Sequence, residues 1–435
     1  MIRRMTILIA GAGLLATLAV ALLSWRRAIA PIERPNPSSF PAALVAKGEV
    51  LAAEGHCVSC HTRPDGPPYA GGYGVNTPFG VIYGSNLTPD PKTGIGRWPL
   101  AAFTRAMREG VSRDGGHLFP AFPYYAYTEL SDGDVQALYA YMMTRRPVSA
   151  TVPPNTLPFP LSVRLFQEGW KLLFFRNRRY QANPSKSAEW NRGAYLSEAL
   201  SDCGGCHTPR NPLGGEEMRH VYAGTVVDGW IAPALTDANP SPLPWTEDAL
   251  FHYLRTGVSP LHGAATAATM TPVIRDGLAL PVVSDSDVRA IALYFSDVDR
   301  TRGRSTNVGA LVRKAVETSS PQKEEKDDPD AGLYDSACLS CHANAAPGPL
   351  PARPELALNS ALTLAEPTNF IEPVLRGIGN QDGAPGLVMP AYAASLSDAE
   401  VARLAAYLRR TRTTLPPWTD LEKKISAARR GLPHD

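Results

Sequence analysis

What this 435-residue chain lacks narrows it first. It has no stray cysteine: all 6 fall in three Cys-x-x-Cys pairs, Cys57/Cys60, Cys203/Cys206 and Cys338/Cys341. That leaves no lone thiol for a nucleophile and no partner for a disulfide outside the pairs. It has no surplus of charge. Its 43 Lys and Arg stand against 41 Asp and Glu, a net of +2, so no strong field points to nucleic acid or another polyanion. Nothing resembles a nucleotide-binding loop. Long apolar runs are also lacking: apart from Met5–Ser24, the apolar stretch 165–175 is too short to span a bilayer. Histidine and methionine are scarce, at 9 and 8 residues, which makes their positions informative.

Each cysteine pair is followed by a histidine: Cys57-Val58-Ser59-Cys60-His61, Cys203-Gly204-Gly205-Cys206-His207 and Cys338-Leu339-Ser340-Cys341-His342. Chance placement of His after all three pairs has odds on the order of one in 10⁵. Cys-x-x-Cys-His is the attachment signature of c-type haem. The thiols add to the vinyl groups, and the histidine binds iron as proximal ligand. A lone Cys-x-x-Cys also suits a redox dithiol or half of a zinc site, but a four-cysteine site would strand the third pair and leave the histidines unexplained. The expectation is three covalently bound haem c groups, with His61, His207 and His342 as proximal ligands. Such haems are attached outside the cytoplasm, in a periplasm-like compartment.

Met5–Ser24 is uncharged, with Arg3 and Arg4 before it and Trp25, Arg26 and Arg27 after it. Twenty residues at about 1.5 Å each reach about 30 Å, the depth of a bilayer core. Residues 1–30 are expected to form an N-terminal membrane anchor, or a signal peptide cut near Ala28-Ile29-Ala30. Residues 31–43 read as a Pro/Ser-containing tether. Haem domains are expected over 43–148, 186–298 and 332–412. Between them lie a proline-rich linker, 149–185, and a charged linker, 299–331, expected to be solvated. The apolar stretch at 165–175 packs across the first two haem domains, or else meets lipid headgroups or a partner. A weakly patterned tail covers 413–435.

An internal repeat supports this division. Each domain closes on a helix with a capping-box start, at Ser131/Asp134, Ser284/Asp287 and Ser397/Glu400, and a tyrosine follows ten residues after each serine: Tyr141, Tyr294, Tyr407. Each opens on a helical run containing a glycine, Gly48, Gly193 or Gly332, where a second helix can come close. An upstream marker recurs at Arg108, Arg255 and, more weakly, Arg376. This is how the first and last helices of class I cytochrome c domains cross, so the expected fold is mainly α: three such domains in tandem after one N-terminal transmembrane helix.

Distal iron ligands follow from the same register. Met270 lies fifteen residues after Arg255 and Met389 thirteen after Arg376, each near a proline and ahead of the capped helix. Met218 fits the repeat poorly. His56, His220, His252, His262 and His434 have no repeated counterpart. In the first domain the slot holds Phe122, fourteen residues after Arg108, and a phenyl ring cannot bind iron. Three arrangements stay open there: ligation by His117, ligation by Met107, Met142 or Met143, or five-coordinate iron beneath Phe122.

The chain resembles the membrane-anchored triheme cytochrome c subunits of bacterial periplasmic dehydrogenases. The resemblance is carried by Ser85-Asn86-Leu87-Thr88-Pro89-Asp90, Gly94-Ile95-Gly96-Arg97-Trp98, Ala188-Glu189-Trp190-Asn191-Arg192-Gly193 and Cys206-His207-Thr208-Pro209-Arg210-Asn211. It implies an electron-transfer subunit whose catalysis resides in a partner, passing electrons to ubiquinone or a terminal oxidase. Two branches of that family compete. One serves quinoprotein alcohol dehydrogenases and flavin-linked sugar or gluconate dehydrogenases, and usually has Pro-Ala-Met-Pro-Tyr in the first domain. The other serves molybdenum hydroxylases, such as aldehyde and nicotinate dehydrogenase, with molybdopterin and iron–sulfur subunits. Pro120-Ala121-Phe122-Pro123-Tyr124 looks more like the molybdenum branch. The rival from another class is a peroxidase-like haem enzyme using an open first haem.

Overall fold

The computed structural model describes residues 25–259, 261–265, 267–300, 307–319, 328–342, 354–379 and 388–431. The expected membrane anchor at Met5–Ser24 and His434 lie outside the described residues. Among the described residues no helix is long and apolar enough to cross a membrane. The chain forms two compact units. One runs to Gln181 and takes in Pro212–Gly215; the other begins at Ala182 and holds the rest.

The first unit is built on a helix pair. Ala42–Glu54 opens the domain and Asp132–Thr144 closes it. The closing helix starts where Ser131 accepts the amide of Asp134 at 3.1 Å. The two cross at Gly48, where a Cβ would overlap the carbonyl oxygen of Ala137. Leu51, Leu138, Met142 and Met143 are fully buried at this seam. Burying a side chain of that size stabilises by about 1.5–3 kcal/mol. A short antiparallel ribbon, Gly74–Thr77 with Gly80–Tyr83, follows the first haem motif.

The second unit repeats the plan. Ala188–Tyr195 crosses Asp285–Val298 at Gly193, where a Cβ would overlap the carbonyl of Ala290. A ribbon, Thr225–Val227 with Trp230–Ala232, again follows the haem motif. In the third repeat Pro329–Tyr334 meets Asp398–Arg412, with Tyr334 and Tyr407 5.7 Å apart between ring centroids. There the expected glycine contact is absent: a Cβ on Gly332 would meet nothing within 4 Å. The opening helix is only six residues long, so aromatic rings fill the space that a close backbone crossing fills elsewhere. The full reciprocal capping box forms at Ser397 and Glu400, whose side chain is long enough to accept the Ser397 amide at 2.8 Å.

Four segments differ from the sequence expectation. The end of segment 1–30 and the tether after it are docked: Ile29 donates to the Arg113 carbonyl at 2.8 Å and Ile32 to that of Arg97 at 3.1 Å. The proline-rich linker belongs to the first unit. Thr156 and Asn155 pair with Val81 and Tyr83 of the ribbon, and helix Gln167–Phe174 sets Trp170 against Tyr124. The charged linker contains a helix, Val308–Ser319, whose Val312 and Ala315 are buried with Leu243 and Leu358. The tail forms a helix, Leu421–Arg430, that buries Ile425.

Candidate haem sites

The first two haem motifs fold as short helical turns, Cys57–Cys60 and Cys203–His207. Each follows a residue in the left-handed region, His56 at φ 37° and Asp202 at φ 48°. The third is entered through a wider helical turn, Asp335–Leu339, that runs into Ser340–His342. A spacing of three puts both thiols of a pair on one helical face. None of the six forms a disulfide. Burial pushes the thiols of Cys57 and Cys203 up to about 12 and that of Cys338 up to about 11. A redox dithiol needs a depressed value, and burial acts here in the opposite direction. Among the described residues no three His, Cys, Asp or Glu side chains group as a metal site requires.

The histidines share one further contact. His61 Nδ1 lies 2.7 Å from the Ser85 carbonyl, His207 Nδ1 2.7 Å from that of Pro233, and His342 Nδ1 3.1 Å from that of Pro354. A carbonyl only accepts, so Nδ1 carries the hydrogen and Nε2 keeps its lone pair. Burial pushes all three imidazoles below their ordinary value and keeps them neutral. This is the form a proximal ligand must have, with a hydrogen bond behind it that orients the ring. Two thiols and a neutral imidazole of determined tautomer fit a covalently attached haem.

The loops behind these contacts explain several of the sequence markers. Asn86 folds the turn that presents Ser85. Its Oδ1 accepts from the Thr88 amide at 2.9 Å, and its Nδ2 donates to the Val148 carbonyl at 2.8 Å. Trp190 and Arg192 tie the opening helix to Asp297 and Asp287 of the closing one, at 2.9 and 2.6 Å. Two residues escaped sequence reasoning. Tyr69 and Tyr222 both have positive φ, 63° and 60°, and donate their amides to Thr62 Oγ1 and Thr208 Oγ1, at 3.0 and 3.1 Å. Their rings meet those of Tyr141 and Tyr294 edge-on. The signal that could have found them is the repeated Tyr-Ala-Gly at 69–71 and 222–224.

On the distal side, the helix before each candidate slot ends at a glycine of positive φ: Gly110, Gly257 and Gly377. From these, Phe122 lies 122 − 110 = 12 residues on, Met270 270 − 257 = 13 and Met389 389 − 377 = 12. Met270 opens the turn Met270–Val273, and Met389 pairs through its backbone with Ile378 at 2.8 and 2.9 Å. Both methionines and Phe122 are half-buried, whereas Met218 is 64% exposed. His117, whose backbone bridges Val111 as that of Met389 bridges Ile378, is 2% exposed, with Nδ1 3.0 Å from Lys171 Nζ and 3.2 Å from Glu168 Oε2. His262 is a satisfied core residue, stacked 3.8 Å from Trp245 with Nδ1 2.9 Å from Ser259 Oγ.

Residues 45–146 match the family Cytochrome c, and residues 327–408 match Cytochrome C oxidase, cbb3-type, subunit III. The fructose dehydrogenase cytochrome subunit of Gluconobacter japonicus is 34% identical over 409 residues, covering 89% of this chain and 83% of that relative. The chain belongs to the family of cytochrome c subunits of periplasmic dehydrogenases. The cytochrome c subunit of the quinone alcohol dehydrogenase of Gluconacetobacter polyoxogenes is 31% identical, with 90% and 85% coverage. A nicotinate dehydrogenase subunit of Pseudomonas putida is 43% identical over 97% of this chain, which spans 34% of that relative.

Cytochrome c domains carry covalently bound haem c, and Cys57/Cys60 and Cys338/Cys341 are the Cys-x-x-Cys pairs inside the two matched stretches. The Cys203/Cys206 turn shares their sequence, and His207 shares the carbonyl contact of His61.

Proposed function

We propose that this cytochrome is the triheme electron-transfer subunit of a membrane-bound periplasmic dehydrogenase, one that uses molybdenum to hydroxylate an aldehyde or an N-heterocycle. The single observation that carries the haem count is the threefold Cys-x-x-Cys-His turn with its histidine Nδ1 facing a backbone carbonyl. Haem c supplies reversible one-electron transfer when bound. The chain's part is to hold each imidazole neutral and oriented, and to offer Met270 and Met389 as thioether ligands that favour high potential. Substrate chemistry belongs to molybdopterin and iron–sulfur partner subunits, and ubiquinone or a terminal oxidase takes the electrons. Phe122 in place of methionine, together with the 43% identity to the nicotinate dehydrogenase subunit, supports the molybdenum branch. Identity of 31–34% over most of the length of fructose and alcohol dehydrogenase cytochrome subunits supports the quinoprotein or flavin branch as the second reading.

Membrane attachment by Met5–Ser24 is part of this proposal. Arg26, two residues past that run, pairs at 3.0 Å with Glu168 on a helix whose Leu172 and Leu173 are 68% and 59% exposed. An apolar surface of that kind suits the membrane side of the subunit.

Pyridine haemochrome absorbance on the purified chain should give three haems. Metal and cofactor analysis of the complex recovered in mild detergent should find molybdenum with iron–sulfur signals. Pyrroloquinoline quinone or flavin in that complex would move the subunit to the other branch. Zinc without haem would overturn the reading.

A further inference from the structure

We infer that the iron of the first haem domain has no protein ligand opposite His61, and that this position, under Phe122, takes a small exogenous ligand: a neutral diatomic on ferrous iron or a small anion on ferric iron. The inference rests on the haem reading of Cys57, Cys60 and His61.

The methionines of the first unit are otherwise occupied. Met107, Met142 and Met143 are 8%, 2% and 0% exposed, packed by protein on every side. Met142 and Met143 sit in the closing helix, within the core of the helix pair. Groups that must touch a porphyrin keep some surface uncovered by the polypeptide, as His61, Met270, Met389 and Phe122 do.

His117 is committed to buried partners that disfavour a free lone pair on Nε2. The ammonium of Lys171 has three hydrogens and three acceptors: the carbonyls of Glu109 at 2.5 Å and Gly110 at 2.8 Å, and His117 Nδ1 at 3.0 Å. When Nδ1 accepts, the ring hydrogen of a neutral imidazole sits on Nε2, which then has no lone pair. When the ring is an imidazolium donating to Glu168, Nε2 again carries a hydrogen. The remaining tautomer, with Nδ1 donating to Glu168 Oε2 at 3.2 Å, sets that hydrogen against the Lys171 ammonium 3.0 Å from the same nitrogen and is disfavoured.

Phe122 holds the place that Met270 holds in the second domain: each lies five residues (122 − 117 and 270 − 265) past the residue bridged to the one that follows the helix-ending glycine. Its ring is braced edge-on by Tyr127 at 5.4 Å. An apolar, half-buried ring leaves the sixth position to a ligand that needs little polar support.

The test uses the full-length protein with its haems, probed with carbon monoxide when reduced and with cyanide when oxidised. One carbon monoxide per chain and a high-spin ferric EPR signal from one haem in three are expected, and cyanide should convert that signal to low spin. Phe122→Met should abolish carbon monoxide binding and add a methionine–iron charge-transfer band, while Phe122→Leu should keep binding. His117→Ala should leave both the stoichiometry and the high-spin share unchanged. Three low-spin haems that bind no carbon monoxide overturn the inference while leaving the electron-transfer reading intact. A new high-spin haem in His117→Ala would identify His117 as the ligand and also overturn it. Absence of haem at Cys57 and Cys60 would remove both readings.

Discussion

Lys171 shows how much a single residue outside the haem motifs can organise. It is buried, and loss of water holds its ammonium down to about 8 against an ordinary 10.5. Between those values the unfolded chain binds more protons than the folded one, so stability rises with pH through that window. The urea midpoint of the full-length protein should therefore climb from about pH 8 to about pH 10, and Lys171→Met should flatten the climb. An equal slope in both proteins would show that Lys171 is not the group responsible. The sequence placed Lys171 beside a short apolar segment and held no hint of His117 as its partner, because 54 residues separate them. The haem cysteines are legible at this scale since their chemistry is local: two thiols and a histidine within five residues.

Helices carry the second level. The opening and closing helices were readable from serine caps, tyrosine spacing and glycines, yet only packing separates one glycine from another. Gly193 has the Ala290 carbonyl where its side chain would be, and Gly332 has open space. Gly193→Ala should destabilise the second domain by about 1–3 kcal/mol through overpacking. Gly332→Ala should stabilise the third by up to about 1 kcal/mol through helix propensity. Hydrogen exchange on the closing helices would check both, and equal effects would mean that the two crossings are alike. Arginine roles were read less well. Arg108 donates to the Leu130 carbonyl at 2.8 Å and pairs with Asp132. Arg255 donates to Leu278 at 2.6 Å and pairs with Asp285 at 3.0 Å. Arg376, the expected third copy, turns to Glu372 instead. Arg429 of the tail helix takes its place, on the Leu396 carbonyl at 2.8 Å and Asp398 at 2.7 Å. Sequence spacing cannot reveal such an exchange, because the clamp needs an arginine at a point in space and not at a point in the chain.

For the molecule as a whole, attachment to a membrane is the property most open to test. An uncharged run of about twenty residues is insensitive to ionic strength. High-salt washing should leave the cytochrome with the membrane fraction and detergent should release it, as measured by haem absorbance in each fraction. Release by salt alone would argue for attachment through charge. The two units also show what linkers can hide. Residues 149–185 read as connection, but up to Gln181 they belong to the first unit, where Asn155 and Thr156 bond the ribbon at Tyr83 and Val81. Val308–Ser319 was read by its charged surroundings, although Val312 and Ala315 supply an apolar stripe that packs between Leu243 and Leu358.

The sequence by itself determined the three Cys-x-x-Cys-His turns, the repeated helix frame and the positions of Met270, Met389 and Phe122 along it. These depend on spacings of a few residues within one turn or one loop, and such spacings survive any tertiary arrangement. Tertiary structure alone decided which carbonyl orients each imidazole, which arginine clamps each closing helix and what holds His117. Each of those contacts joins residues 12 to 54 apart. The partners meet only after the chain has folded, so no local pattern records them.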